Sequence, residues 1–149
     1  MIAILEANIK TICAMRRALQ SADLERQMVY FETAPNMLQW LDENIAEVRL
    51  MSLGSDLGTP WYRNGKLIQA GAGMDVVKGL RRYQPNCSVI IHSDNKRNNA
   101  EMGVELAYQG INCSGMHCMD ENWIENEWLP RVISELKLTS HPFVPKTVN

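Results

Sequence analysis

Short apolar runs alternate five times with amphipathic segments along this 149-residue chain. That alternation predicts an α/β fold, a five-stranded parallel sheet with helices on both faces. Two junctions sharpen the expectation. The run at 48–53 flows into Gly54-Ser55-Asp56, and the run at 87–91 flows into His92-Ser93-Asp94-Asn95. Both runs are short and apolar enough to be buried strands. In parallel α/β sheets, sites are built at the carboxyl ends of such strands.

Each element follows from its residues. Residues 2–6 are a short apolar run suited to a buried strand. From Ile9, apolar Ile12, Cys13 and Leu19 recur with Lys10, Arg16 and Arg17 between them, which gives a helix with one core face. Met28-Val29-Tyr30-Phe31 is a second strand. Thr33, Ala34 and Pro35 open a helix through Leu38, Leu41 and Ile45, with Pro35 in its first turn. Residues 48–53 make the third strand. A longer connection runs from Gly58 to Gly71, and Asn64-Gly65 marks a tight turn within it. A helix from Gly73 to Tyr83 carries Val76, Val77 and Leu80. Residues 87–91 make the fourth strand.

On the next helix, Ala100, Gly103, Val104 and Ala107 keep i, i+3, i+4, i+7 spacing. Its core face is therefore expected to be small and to lie close to the sheet, with Gly110 ending it. Ile111 to Met119 is the fifth strand, interrupted by Ser114 and Gly115. The last helix carries Ile124, Trp128, Val132 and Leu136. Pro130 falls inside that pattern, so either the helix kinks there or a new helix starts with Pro130 in its first turn. A single domain of residues 1–138 is expected, followed by a loosely held tail at 139–149 that contains two prolines.

Right-handed crossovers reduce this order of elements to a doubly wound, flavodoxin-like sheet with strand order 2-1-3-4-5. A ligand would then sit between the carboxyl ends of the first and third strands. The strand ends carry Glu6, Asp56, His92, Ser93, Asp94 and His117.

Composition narrows the function. With 46% hydrophobic and 21% charged residues the chain is an ordinary globular one, long enough to bury a core without disulfides. A net charge of −2 excludes a general nucleic-acid binder but not a site for one phosphate. No apolar run approaches the roughly 20 residues that cross a bilayer, so no membrane partner is expected. Met1 to Glu6 lacks a basic lead and meets an acid at once, unlike a signal peptide. Cys13, Cys87, Cys113 and Cys118 do not form a disulfide framework, so reduced thiols and a cytoplasmic location are expected.

Three motifs recur together: Ser52-Leu53-x-x-Asp56-Leu57-Gly58, Gly73-Met74-Asp75-Val76-Val77, and Ile90-Ile91-His92-Ser93-x-Asn95 with Met102 beyond. The combination resembles receiver domains of response regulators, and more narrowly the cyclic-phosphate-processing receiver domains. The similarity spans residue 1 to about residue 118 in element order. It implies one of two activities. One is a metal-dependent phosphoesterase acting on a cyclic phosphate or a nucleotide end. The other is a signalling receiver, or a receiver-like module that binds a protein partner or a second copy of itself.

The departures from the family pattern are specific. Ordinary receivers follow the first strand with two adjacent acids that hold Mg2+, where this chain has Glu6-Ala7. They end the third strand with a phosphate-accepting aspartate, and the variant group has Ser-Leu-Asp-His-Asp-Leu-Gly there. Gly54-Ser55 replaces the Asp-His, and glycine offers no acceptor. Ser93 matches the hydroxyl residue after the fourth strand, and His117 falls at the lysine position after the fifth.

The resemblance thus implies Glu6 and Asp56 as weak Mg2+ ligands and Asp56, His92 and Ser93 as catalytic groups. It implies Ser93, Asn95, Lys96 and His117 as phosphate binders. Chemistry agrees in outline: Mg2+ needs few protein ligands, imidazole moves protons near neutral pH, and a helix start attracts anions. Each residue also has a plainer role. Asp56 suits a turn cap, Glu6 a solvated acid, His92 a loop contact, and Ser93 or Asn95 the N-cap of the next helix. Lys96 and Arg97 suit a solvated rim. Cys113, His117 and Cys118 fall short of the paired spacing of a zinc site. Trp61 and Tyr62 fit either a lid over a base or loop packing, while Trp40, Trp123 and Trp128 read as core residues.

Overall fold

Along the chain, β1 (Ile2–Leu5), α1 (Ile9–Ser21), β2 (Met28–Phe31), α2 (Ala34–Asn44), β3 (Leu50–Leu53) and β4 (Trp61–Arg63) come first. They are followed by β5 (Lys66–Ile68), α3 (Gly73–Gly79), β6 (Ser88–Ser93), α4 (Lys96–Tyr108), β7 (Cys113–His117) and α5 (Leu129–Thr139). The computed structural model describes residues 1–117 and 120–139. Cys118 and the tail from residue 140 lie outside that range.

Five parallel strands form one sheet in the order β2-β1-β3-β6-β7. This is the predicted flavodoxin-like order, 2-1-3-4-5, counted over the strands of the sheet. Every residue of β1 and β3 is buried, as parallel strands covered on both faces require. Alternate residues serve opposite layers. Ala3, Leu5, Met51 and Leu53 pack with α2, α3 and α4, while Ile2, Ile4 and Leu50 pack with α1 and α5.

The helix starts follow the sequence. Asn8 caps α1, Thr33 caps α2 with a proline in the first turn, and Asn95 caps α4 by accepting from Asn98 N–H at 3.0 Å. The choice between Ser93 and Asn95 is thereby decided for Asn95.

Two expectations need correction and a third is refined. The core face of α4 is Met102 and Leu106, not the small residues: Val104 is 71% exposed, and Ala100 and Ala107 are exposed too. Large side chains gain more from leaving water, so they fix the rotation of the helix. The connection after Gly58 contains a hairpin, β4–β5, turning at Asn64 and Gly65 with φ of +52° and +76°. The tight turn is as predicted, but strands of three residues are too short to leave a periodic trace. Finally, the new-helix alternative holds, with Pro130 second in α5 and in its first turn, but the turn before it is wider than expected. A π turn at Ile124–Trp128 runs directly into α5, closed by Leu129 N–H donating to Ile124 O. That wider turn gives room where a proline ring would otherwise crowd a carbonyl of the preceding turn.

No helix among the described residues is long and apolar enough to cross a membrane.

Candidate functional site

The carboxyl ends of β1, β3 and β6 meet in one crevice, about 430 Å³ in volume, lined among others by Glu6, Ser55, Asp56, His92, Ser93 and Trp123. A second cavity of about 590 Å³ shares Glu6 and Asp56 and extends to Trp61 and Arg63. Arg63 pairs with Glu32 at 3.0 Å, tying the hairpin to the end of β2.

Backbone bonds hold the floor of the crevice. Gly54 N–H donates to Leu5 O at 2.9 Å, and Glu6 N–H donates to Phe31 O at 3.0 Å. Glu6 is mostly buried. Its Oε2 accepts from Asn8 N–H at 3.1 Å, and its Oε1 lies 3.2 Å from His92 Nε2. His92 Nδ1 lies 2.7 Å from Ser52 Oγ, and Trp128 Nε1–H donates to the same oxygen at 2.9 Å.

The directions of these bonds follow from counting hydrogens. Indole N–H only donates, so Ser52 Oγ accepts from Trp128; the ionised Glu6 only accepts, so Nε2 donates to it, and Nδ1 of a neutral ring accepts the Ser52 hydrogen. The proton of the neutral ring is then on Nε2, facing Glu6. Trp123 stacks on the same imidazole, with centroids 5.9 Å apart and planes 20° apart.

Burial works to raise the Glu6 carboxyl. The hydrogen bond and attraction of His92, with the N–H groups of Asn8 and Ala7, outweigh it and hold Glu6 below the ordinary carboxylate value. A depressed carboxylate contributes stability that is complete above its unfolded value and is lost as pH falls through the folded one. Unfolding curves of the wild type and of Glu6→Gln should therefore differ at neutral pH and converge in acid. A gap that stays constant from pH 7 down to about pH 3 would refute this assignment.

Gly54 stands where the resemblance puts a phosphate acceptor. A Cβ there would lie 3.1 Å from Leu5 O, 3.4 Å from His92 Nε2 and 3.9 Å from Glu6 Oε1. The Glu6–His92 pair thus occupies the space beside the missing side chain. Ser55 Oγ and Ser93 Oγ lie 2.6 Å apart, and Ser93 Oγ also accepts from Asn95 N–H at 3.0 Å.

The structure brings Glu6, Asp56, His92 and Ser93 to one crevice, as the sequence suggested. Asp56 is exposed, and its Oδ1 accepts from Gly58 N–H at 2.9 Å, so it also serves as the turn cap. Asn95 is committed to capping α4, and Lys96 is exposed on that helix outside the crevice lining. His117 is placed only through its backbone, which pairs with Ser93 across β6 and β7.

Mg2+ finds a thin donor set. No three His, Cys, Asp or Glu side chains gather to hold a metal ion among the described residues. Each Glu6 oxygen already accepts or faces one hydrogen-bond partner, which leaves a lone pair on each beside the exposed Asp56. Cys113 points its thiol at Gly103 O, 3.8 Å away, and burial raises its pKa.

Sequence reasoning missed Ser52 and Trp128 as members of the polar chain. The available signal was one hydroxyl inside an apolar strand, since a buried hydroxyl must find partners.

No protein-family model matches the chain, and no curated protein matches it significantly. Solved structures do. One is the signal receiver domain of a protein described as a Luxo repressor from Vibrio parahaemolyticus, with a TM-score of 0.66 and 15% identity over 93% of this chain and 90% of that one. A DNA-binding response regulator of the LuxR family from Staphylococcus aureus gives 0.59 and 14% over 91% and 97%. A structure of two RcsB dimers bound to two parallel DNAs gives 0.58 and 15% over 92% of this chain and 59% of that one. At such identities the likeness is one of fold: the chain has the fold of these receiver domains.

Proposed function

We propose that this chain is a receiver-like signalling or protein-interaction module that is not phosphorylated at the usual acceptor position. One observation carries the reading: the residue at the end of β3 is Gly54, and the space beside it is held by the Glu6–His92 pair. Asp56, two residues on, is tied to its own turn. The ligand class that fits best is a protein, either a different partner or a second copy. Support comes from the outward face of α4, where Val104 and Tyr108 are 71% and 86% exposed. Large exposed apolar side chains at one-turn spacing suit a protein contact.

A second reading keeps the crevice chemical. Ser55 and Ser93 present two hydroxyls to the cavity that His92 lines, and α4 begins beside them. This arrangement would suit the phosphate of a small molecule or nucleotide end, and the resemblance to cyclic-phosphate-processing receivers points the same way. Mg2+ would enter at Glu6 and Asp56.

One experiment separates the readings. The full chain is incubated with Mg2+ and a small acyl phosphate, then with Mg2+ and a 2′,3′-cyclic nucleotide. The expected result is an unchanged intact mass and no ring opening. A phosphoryl adduct would overturn the first reading, and ring opening lost in Asp56→Asn would replace it with the second.

A further inference from the structure

Four side chains form a closed polar chain from the crevice to the last helix: Glu6, His92, Ser52 and Trp128, with successive separations of 3.2, 2.7 and 2.9 Å. Ser52 and Trp128 have no exposed surface, and His92 is 3% exposed. Water is therefore not on hand to replace a lost partner of Ser52 or Trp128. We infer that His92 couples the crevice to the π turn before α5, so that whatever engages the Glu6 carboxylate alters the bond between Ser52 and Trp128. This rests on the receiver-like module reading and gives that module an output surface.

The coupling has two discrete arrangements. In the first, Ser52 donates to Nδ1 and Nε2–H donates to Glu6, with every hydrogen used. In the second, a cationic group has taken Glu6 away, and Nε2–H has lost the carboxylate that fixes the ring. The imidazole turns toward another acceptor in the crevice, and Nδ1 leaves the Ser52 hydroxyl. The Ser52 hydrogen has then lost its acceptor, so the serine turns and the bond it accepts from Trp128 weakens.

The receiving end is suited to respond. Trp123 and Trp128 bracket the π turn Ile124–Trp128, and Trp123 stacks on the same imidazole. Short π segments inside helices are rare and recur at functional sites. Here one bond, Leu129 N–H to Ile124 O, closes the turn one residue beyond the indole that Ser52 holds.

Nitrogen-15 NMR of the full chain tests the coupling. The indole N–H signal of Trp128 is assigned with Trp128→Phe, and the His92 ring nitrogens report the hydrogen bonds of the ring. In Glu6→Ala, the His92 nitrogen signals should shift, the Trp128 indole signal should shift, and its N–H should exchange about tenfold faster, the effect of one lost hydrogen bond. The Trp40 indole, packed against Phe31 on the opposite side of the sheet, should stay in place. Glu6→Gln, which keeps a neutral acceptor, should give a smaller shift in the same direction and serves if Glu6→Ala does not fold. An unmoved Trp128 signal in a folded Glu6 variant overturns the inference. The measurement needs no partner or phosphate. If the indole follows Glu6 while the acyl phosphate labels the chain, the coupling stands and the module reading falls.

Discussion

Gly73→Ala should destabilise this protein by about 3 kcal/mol or more, the upper range for forcing an atom into a packed interior. A Cβ at residue 73 would lie 2.0 Å from Gly54 O and 2.9 Å from Met102 Cε. The methionine can move aside, but the carbonyl belongs to the backbone that forms the floor of the crevice. Gly73 N–H also donates to Ser55 O at 3.0 Å, so the start of α3 and the turn after β3 are clamped together. Relief requires pushing that turn outward, which would separate Ser55 from Ser93. For a chain of this size the loss corresponds to a fall in Tm of about 10 °C. Gly103→Ala is the control: nothing lies within 4 Å of its Cβ, and alanine favours the helix by up to about 1 kcal/mol. Thermal melts in which both variants behave alike would refute the clamp.

The fold was legible because each part of it leaves a local trace. Ile2 to Leu5 and Ser88 to Ile91 are apolar runs too short for helices, and the caps at Asn8 and Thr33 stand where a polar acceptor precedes a periodic segment. The rotation of α4 was not legible. Ala100, Val104 and Ala107 repeat at helical spacing as regularly as Met102 and Leu106 do, and only the choice of larger side chains for the core separates the two faces. The site divided in the same way. Asp56, His92 and Ser93 stand at strand ends, so topology alone gathers them. The Ser52–His92 and Trp128–Ser52 contacts join residues 40 and 76 positions apart, and no local pattern encodes such pairings. Position within β3 was the one clue, a serine in a strand that is otherwise apolar. The α4 correction has its own consequence: the face expected to pack on the sheet is exposed, with Val104 turned outward.

Trp128→Ala should cost about 3–5 kcal/mol, the usual range for deleting a buried aromatic ring. The indole fills the layer between the sheet and α1 and has no exposed surface. Its N–H adds a separate effect, which smaller changes isolate. Ser52→Ala leaves the indole N–H and His92 Nδ1 both buried without partners, at about 1–3 kcal/mol for each group left unsatisfied. Trp128→Phe keeps most of the ring while removing the donor. In the double variant, the indole N–H that Ser52→Ala would orphan is already gone. The two single costs should therefore sum to more than the double, by a coupling energy of about 1–3 kcal/mol. Denaturant unfolding of the four proteins measures it. Costs that add to within about 0.5 kcal/mol would mean that Trp128 contributes volume alone. Coupling in the expected range would instead make Ser52 a positioning residue, one that fixes which nitrogen of His92 faces Glu6.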